Sequence, residues 1–509
     1  MGKYFDKLNE YQEKAAALTA AMNLFDYDTQ TNSLSKADKY TSKAMGILAD
    51  EYHSLFTGKK AARLIRKCMK EYENGEMTAV ECAIFKQYIK LHNELSPIPS
   101  DEYRAFKELT SKSIKIWVNA KKNKSFDDFA PVLEEIVDWK RKFAGYRKRK
   151  GQKEYDVLLG DYEPDFDMEK LDKIFEDIKR DVLPVVKKYQ HGDKEGNSYD
   201  NPEAVNNFLN TSFDENKIRE LCMFLPEYLG FDMDAGVISE SEHPFTMNIH
   251  KYDVRMTNNY SNGDFFGPVF SSIHETGHAL YEQGIDDSLV MTIIGEGTSM
   301  GMHEAQSRFY ENMVGKNVYF WRPLIGQVRK MFPDEMRNIS EHDFIKMMNR
   351  VCCGAIRIDA DELTYPFHII IRYELEKSLI SGTIKVSELK DEWNRKYKQY
   401  LGVCPKDDAE GVLQDVHWAT GEFGYFPSYV IGSAAAAQLC AHIKSVMQFD
   451  KCLEDGKVRD LKKYLTKNIF RYGKAVSTNE ILDRIMGEEF DVKYYVRYLC
   501  DKYGEERKV

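Results

Sequence analysis

Long apolar runs are missing from this 509-residue chain. The longest, residues 429–443 with Ala434 to Ala437 inside it, falls short of the ~20 residues that span a bilayer and predicts a buried helix instead. The first residues, Met1-Gly2-Lys3-Tyr4-Phe5-Asp6, lead straight into charged amphipathic sequence without the apolar core of a secretion signal. Neither membrane insertion nor secretion is expected. Cys-x-x-Cys pairs are absent too. The nine cysteines (68, 82, 222, 352, 353, 404, 440, 452 and 500) are scattered and odd in number, which predicts reduced thiols in the cytoplasm. A basic excess is lacking, since 72 Lys and Arg stand against 82 Asp and Glu for a net charge of −10. That excludes the electrostatic footprint of a nucleic-acid binder.

What is present is the composition of a well-packed globular chain, 43% hydrophobic and 13% aromatic. Apolar residues recur at helical spacing from Phe5 to Phe25, from Met45 to Phe56 before Gly58, and through 78–95, 100–118 and 126–146. The first third is therefore expected to be a helical layer. Tyr155 to Pro164 reads as a turn-rich interruption, and 192–202 as a surface loop. Strand signals dominate only in 236–260, at Phe245 to His250 and Asp253 to Thr257, and predict a small sheet whose edge would suit an extended peptide. After Gly315 the pattern returns to helices.

The chemistry is concentrated in Phe270-Ser-Ser-Ile-His274-Glu275-Thr-Gly-His278-Ala-Leu-Tyr281. His274 and His278, four apart, share one helix face, and Glu275 sits one step round. His-Glu-x-x-His on a helix is a zinc-peptidase signature: two imidazoles hold the ion, and the carboxylate takes a proton from its acidified water. Gly267-Pro268 is a suitable helix start and Gly284 a suitable stop, with Val269, Ile273, Ala279 and Leu280 as the packed face. A catalytic zinc takes a third protein ligand. The next predicted helix, Ser299 to about Gly315, offers His303, Glu304 and Glu311, and spacing does not separate them. Glu311, three after Arg308, reads most simply as part of an ion-paired face.

A peptidase acting at a free C-terminus also needs a cation for the terminal carboxylate, and arginine's planar fork suits it. Arg255, on a predicted strand, and Arg357 are candidates. Against that role stand internal ion pairs, Arg255 with Asp253 or Arg357 with Asp361. The segment Gly411-Val-Leu-Gln414-Asp415-Val-His417-Trp418, followed by Gly424-Tyr425-Phe426-Pro427, reads as loop. A His or Tyr there is a candidate oxyanion donor, with a packed aromatic core as the plainer alternative.

Taken in order, His243-Pro244-Phe245, Asp253-x-Arg255-x-Thr257, His274-Glu275-x-x-His278, His303-Glu304-x-Gln306-Ser307, Ile356-Arg357-x-x-Ala360-Asp361 and Gly411-x-x-Gln414-Asp415-x-His417-Trp418 resemble the motifs of the Taq-type thermostable metallocarboxypeptidases. The resemblance covers nearly the whole chain as one catalytic domain, 1–509, with a helical part, 1–235, covering a groove and the metal and substrate site in 236–509. It implies a mainly α, large, two-lobed metallopeptidase with a deep groove and a small β-sheet beside the metal-binding helix. It also implies a homodimer that releases single C-terminal amino acids from peptides with broad specificity. The metal it implies is zinc, one ion per subunit, with cobalt able to substitute. Carried over by position, His274, His278 and Glu304 are the ligands and Glu275 the general base acting on a metal-bound water. Arg357, Arg255, His243, His417 and Tyr425 surround the substrate. The chain departs from the family at Phe25-Asp26, where Trp-Asp is usual, in lacking a Met-Pro pair soon after, and at Ala305 in place of Ser. An endo-acting zinc oligopeptidase, sharing the metal triad without the carboxylate clamp, is the alternative function, and a catalytically silent metal-binding protein the alternative class.

Overall fold

The structure is a computed structural model and describes residues 3–32, 34, 36–190, 199–261 and 263–504. The surface loop expected over 192–202 lies, up to Ser198, outside the described residues. The expected helices of the first third form: Lys3–Thr31, Asp38–Phe56, Ala79–Leu95, Ser100–Asn123 and Ala130–Arg147. Local chemistry sets their ends. The Thr78 hydroxyl accepts the Glu81 N–H while the Glu81 carboxylate accepts that of Thr78, closing a capping box. Gly58, expected only as a stop, opens a further helix, Gly58–Glu73, because its φ of +80° lets the chain reverse after an extended Thr57. The turn-rich stretch from Tyr155 likewise contains a short helix, Glu154–Leu159, whose Tyr155, Val157, Leu158 and Leu159 are all buried.

The chain forms two compact units, each assembled from separate stretches. The first takes the chain up to Ser96, Asp200–Met348 and Leu439–Glu489. Its core includes Phe5, Leu8, Phe56, Phe85 and Tyr88 packed with Ile285, Leu289 and Ile294. Gln12, fully buried, accepts the Ile293 N–H at 3.0 Å, so the first helix is tied to the segment between the two site helices. The small sheet belongs here: β1 (Gly236–Glu240), β2 (Thr246–His250) and β3 (Asp253–Asn258), in the order β1-β3-β2. β3 runs parallel to β1 and antiparallel to β2, with Val254 and Met256 fully buried on one face. The first helix lies along β2, where the Asn23 amide donates to the Asn248 carbonyl at 2.7 Å and Tyr27 meets Phe245 edge-on.

The second unit takes Pro97–Tyr199, Asn349–Gln438 and the chain from Phe490. Helix Tyr365–Ser381 is buried almost all round, His368, Arg372 and Glu376 included. A helix without a solvated face is a core element. The apolar run around Ala434 to Ala437 forms helix Pro427–Val446, as expected. Among the described residues no helix is long and apolar enough to cross a membrane. All nine cysteines are free.

Candidate metal centre

Helix Phe266–Gln283 carries the His-Glu-x-x-His motif. Its start lies ahead of the expected Pro268, because the Asp264 carboxylate accepts the Gly267 N–H at 2.6 Å and lets the first turn form at Phe266. It ends before Gly284, as expected. Inside the motif, Gly277 meets the backbone of helix Met300–Arg308. A Cβ at 277 would lie 2.5 Å from Ser307 Cα and 2.6 Å from the Gln306 carbonyl oxygen. Only glycine permits that approach, and the approach brings Glu304 to the histidines.

His274, His278 and Glu304 each offer a ligand atom within 4.8 Å of the others. Glu304 Oε2 stands 3.9 Å from His274 Nε2 and 3.6 Å from His278 Nε2. Ligand atoms ~2.1 Å from a tetrahedral ion lie ~3.4 Å apart, so this spacing fits a single small cation. Of the three candidates on the second helix, geometry places Glu304 at the histidines.

His303 and Glu311 fall behind the ligands. Helix Met300–Arg308 widens into a π-helical stretch, Phe309–Gly315, and Glu311 on it accepts from His274 Nδ1 at 2.8 Å. Glu311 is also ion-paired with Arg308, as its spacing suggested. His278 Nδ1 lies 2.6 Å from His303 Nδ1, and His303 Nε2 lies 2.7 Å from Glu282 Oε1. A carboxylate only accepts, so His303 donates from Nε2 and receives the His278 N–H at Nδ1. Both site histidines are thereby left with Nε2 as the lone-pair nitrogen facing Glu304. Arg308 Nε holds the other oxygen of Glu304 at 2.7 Å. Burial, together with repulsion between a protonated His278 and the positive charge of Arg308 and of either neighbouring imidazole when protonated, pushes the pKa of His278 well below its ordinary value. For His274 burial acts the same way, but Glu304 and Glu311 outweigh it and raise the pKa.

Glu275 is buried, 7% exposed, beside this trio. Thr246 on β2 donates its hydroxyl to Glu275 Oε2 at 2.7 Å, so the small sheet does adjoin the motif helix and orients the carboxylate. Burial raises the Glu275 pKa, with His274 and Thr246 opposing. Arg255, on β3, makes the internal pair weighed for it: Nε and Nη2 contact the two oxygens of Asp253 at 2.8 and 2.9 Å. Tyr27 of the first helix covers its guanidinium at 5.1 Å. His243 lies exposed in the connection from β1 to β2.

Arg357, His417 and Tyr425 gather in the second unit. Arg357 pairs through Nε and Nη2 with Asp415, 2.8 Å at the shortest, rather than with Asp361, whose carboxylate accepts the Leu363 and Thr364 N–H groups at the start of a helix. Burial works against the charge of Asp415, yet Arg357 outweighs it and holds the carboxyl well below its usual range. His417 stacks on Tyr425 with centroids 5.5 Å apart and packs edge-on to Phe426. Burial pushes the His417 pKa down to about 3. Spacing did not find Thr246 or Glu282; it offered Glu311 as a ligand or an ion-paired residue, and Asp415 only as part of a loop motif. The one available signal was Glu282, which follows His278 by four on the same helix face.

Fold and site together define a mainly helical metallopeptidase. The family model described as Carboxypeptidase Taq (M32) metallopeptidase matches residues 7–503. Carboxypeptidase 1 of Bacillus subtilis (strain 168) is 36% identical over 507 residues, covering 99% of this chain and 97% of its own. The solved structure of Trypanosoma cruzi metallocarboxypeptidase 1 superposes with a TM-score of 0.92 at 30% identity, covering 99% of this chain and 100% of its own. That of Pyrococcus furiosus carboxypeptidase in its apo-Mg form gives 0.91 at 30% identity, covering 99% of each. The chain belongs to the M32, or Taq, family of metallocarboxypeptidases.

Proposed function

We propose that the protein removes single amino acids from the C-terminus of peptides with broad specificity, using one zinc ion per subunit for which cobalt can substitute. The observation that carries the reading is Glu275, held by Thr246 beside His274, His278 and Glu304. A metal site with three protein donors among the described residues and a buried carboxylate at hand is built for hydrolysis, since a structural zinc takes four protein ligands and needs no base. When bound, the ion supplies a Lewis acid to a water and to the scissile carbonyl. Glu275 takes the proton of the attacking water and returns it to the leaving amine; a raised pKa suits both transfers. His417 or Tyr425 donates to the developing oxyanion. The terminal carboxylate is held by Arg357 or Arg255. Each is fixed through Nε and Nη2 by an aspartate; Arg357 Nη1 also donates one N–H to the Tyr365 hydroxyl at 3.3 Å, so a second acceptor would use its other Nη1 N–H or those of Arg255. His243 is the remaining substrate-binding residue.

We further infer one catalytic domain, since the family match runs from 7 to 503, acting as a homodimer in the cytoplasm, where nine free thiols stay reduced. The test is mass spectrometry of a free-acid peptide and its C-terminally amidated twin, incubated with zinc-loaded enzyme and with a chelated control. Stepwise loss of single residues from the free acid alone, abolished by chelator, is expected. Internal cuts, or equal attack on both peptides, would overturn the carboxylate clamp in favour of an endo-acting oligopeptidase.

A further inference from the structure

One carboxylate in the second unit gathers more donors than the packing of its helix requires. Glu376 has no exposed surface. Its Oε1 accepts from Arg372 Nε at 2.8 Å and from Trp418 Nε1 at 3.0 Å. Its Oε2 accepts from the Gly424 N–H at 2.9 Å and the Tyr155 hydroxyl at 3.1 Å. A buried ion pair is costly to desolvate, and an apolar pair of similar volume commonly serves stability as well or better. Stability is thus a poor reason for Arg372 and Glu376 to be here. Arg372 Nη1 and Nη2 find no hydrogen-bond acceptor among the described residues; the guanidinium instead lies 3.5 Å from the Trp418 ring centroid and 4.4 Å from that of Phe426.

What the donors of Glu376 share is their place in the chain. Trp418 follows His417, and Gly424 precedes Tyr425. The carboxylate therefore draws together the two ends of the segment 418–424, and the residues just outside it, His417 and Tyr425, stack on each other with 25° between their rings. Gly424 is suited to the task, since it has a φ of +87° and a Cβ there would lie 2.7 Å from the Leu158 carbonyl carbon. Tyr162 and Phe426 brace the stack edge-on, against Tyr425 at 5.2 Å and His417 at 4.8 Å.

We propose that Glu376 is the positioning residue for His417 and Tyr425: by binding the indole N–H beside one and the backbone N–H beside the other, it fixes the register in which the two side chains are presented. This rests on the reading of His417 and Tyr425 as substrate-binding residues. Glu376 itself meets no substrate. It acts through the loop that it closes.

The test is a double-mutant cycle on kcat/KM for a free-acid peptide, with bound zinc measured for each variant and rates taken well below the melting temperature. Glu376→Gln turns one acceptor into a donor facing two other donors. A misplacement of reacting groups on the order of 1 Å costs ~100-fold, which is the fall expected. Because that variant also strips Arg372 of its partner, Trp418→Phe is the companion, removing one donor to the carboxylate for a fall of about tenfold. Zinc content is expected to stay at the wild-type level in both. In a His417→Ala background, Trp418→Phe should change kcat/KM less than about twofold, because the group it positions is gone. Full activity in Trp418→Phe, or an undiminished effect of it in the His417→Ala background, would overturn the inference alone. If His417→Ala and Tyr425→Phe are both silent, the substrate-binding reading fails and this inference fails with it.

Discussion

A glutamate serves as a base near neutral pH only if its surroundings lift its pKa without engaging both oxygens in permanent ion pairs. Glu275 meets that condition through burial and one hydroxyl donor, Thr246. Glu311 does not: it is held by Arg308 and pulled well below its usual range by Arg308 and Lys316 against the cost of burial, while Glu304 faces the two histidines with one oxygen and gives the other to Arg308. Three neighbouring carboxylates are thus set apart for different work. Glu275→Gln should retain the metal, measured by elemental mass spectrometry, and lower kcat by ~10²- to 10⁴-fold; full turnover in that variant would remove Glu275 from the mechanism. The motif made Glu275 legible in the sequence. Thr246, 29 positions away and on a strand, had no such signal, because a hydroxyl within reach of a carboxylate is a fact of packing and not of spacing.

At the scale of elements, the site is a contact between two helices, and Gly277 sets its distance. Substituting Gly277 by Ala would drive a Cβ against the Ser307 Cα and the Gln306 carbonyl, both backbone atoms that cannot swing aside. The helices must part, at an overpacking cost of about 1–3 kcal/mol. Glu304 moves with its helix. Gly277→Ala should therefore lower the melting temperature and weaken zinc binding together, the latter by about tenfold or more, read by metal titration and thermal melts on the same samples. A variant that melts early but binds zinc as tightly as the parent would show that the ligand geometry does not depend on this contact. The periodicity gave both helices away. Their closeness was not legible, because Gly277 inside an apolar helix is equally compatible with a surface left bare.

For the whole molecule, two compact units each bury titratable groups that an unfolded chain would expose. His368 is 1% exposed, and burial, with Arg357 adding to it, presses its pKa down to about 3; His417 is likewise pushed to about 3. Between pH ~6.5 and ~3 the unfolded chain binds these protons and the folded protein does not, so stability rises with pH in that window and is lost as pH falls through it. Each histidine contributes up to about 1.4 kcal/mol per pH unit there. Denaturant midpoints taken between pH 7 and pH 4 should fall steeply for the parent protein and less steeply for His368→Gln. Equal slopes would mean that His368 is protonated in the folded state.

The sequence by itself determined the helical class, the small sheet, the metal motif and the family, since all of these depend on residues close together in the chain or on motifs read in order. The motifs read in order already put Glu304 with the histidines, which spacing did not; only the tertiary structure decided that His303 and Glu311 stand behind the ligands, that Arg357 answers to Asp415 and not Asp361, and that Glu376 closes the loop bearing His417 and Tyr425. Each of those pairings joins residues brought together by folding, through hydrogen bonds whose partners lie from 25 to 58 positions apart, or through ligand atoms that meet across two helices. Spacing along a helix fixes which side chains share a face. Which group meets that face from elsewhere is settled by how the core packs.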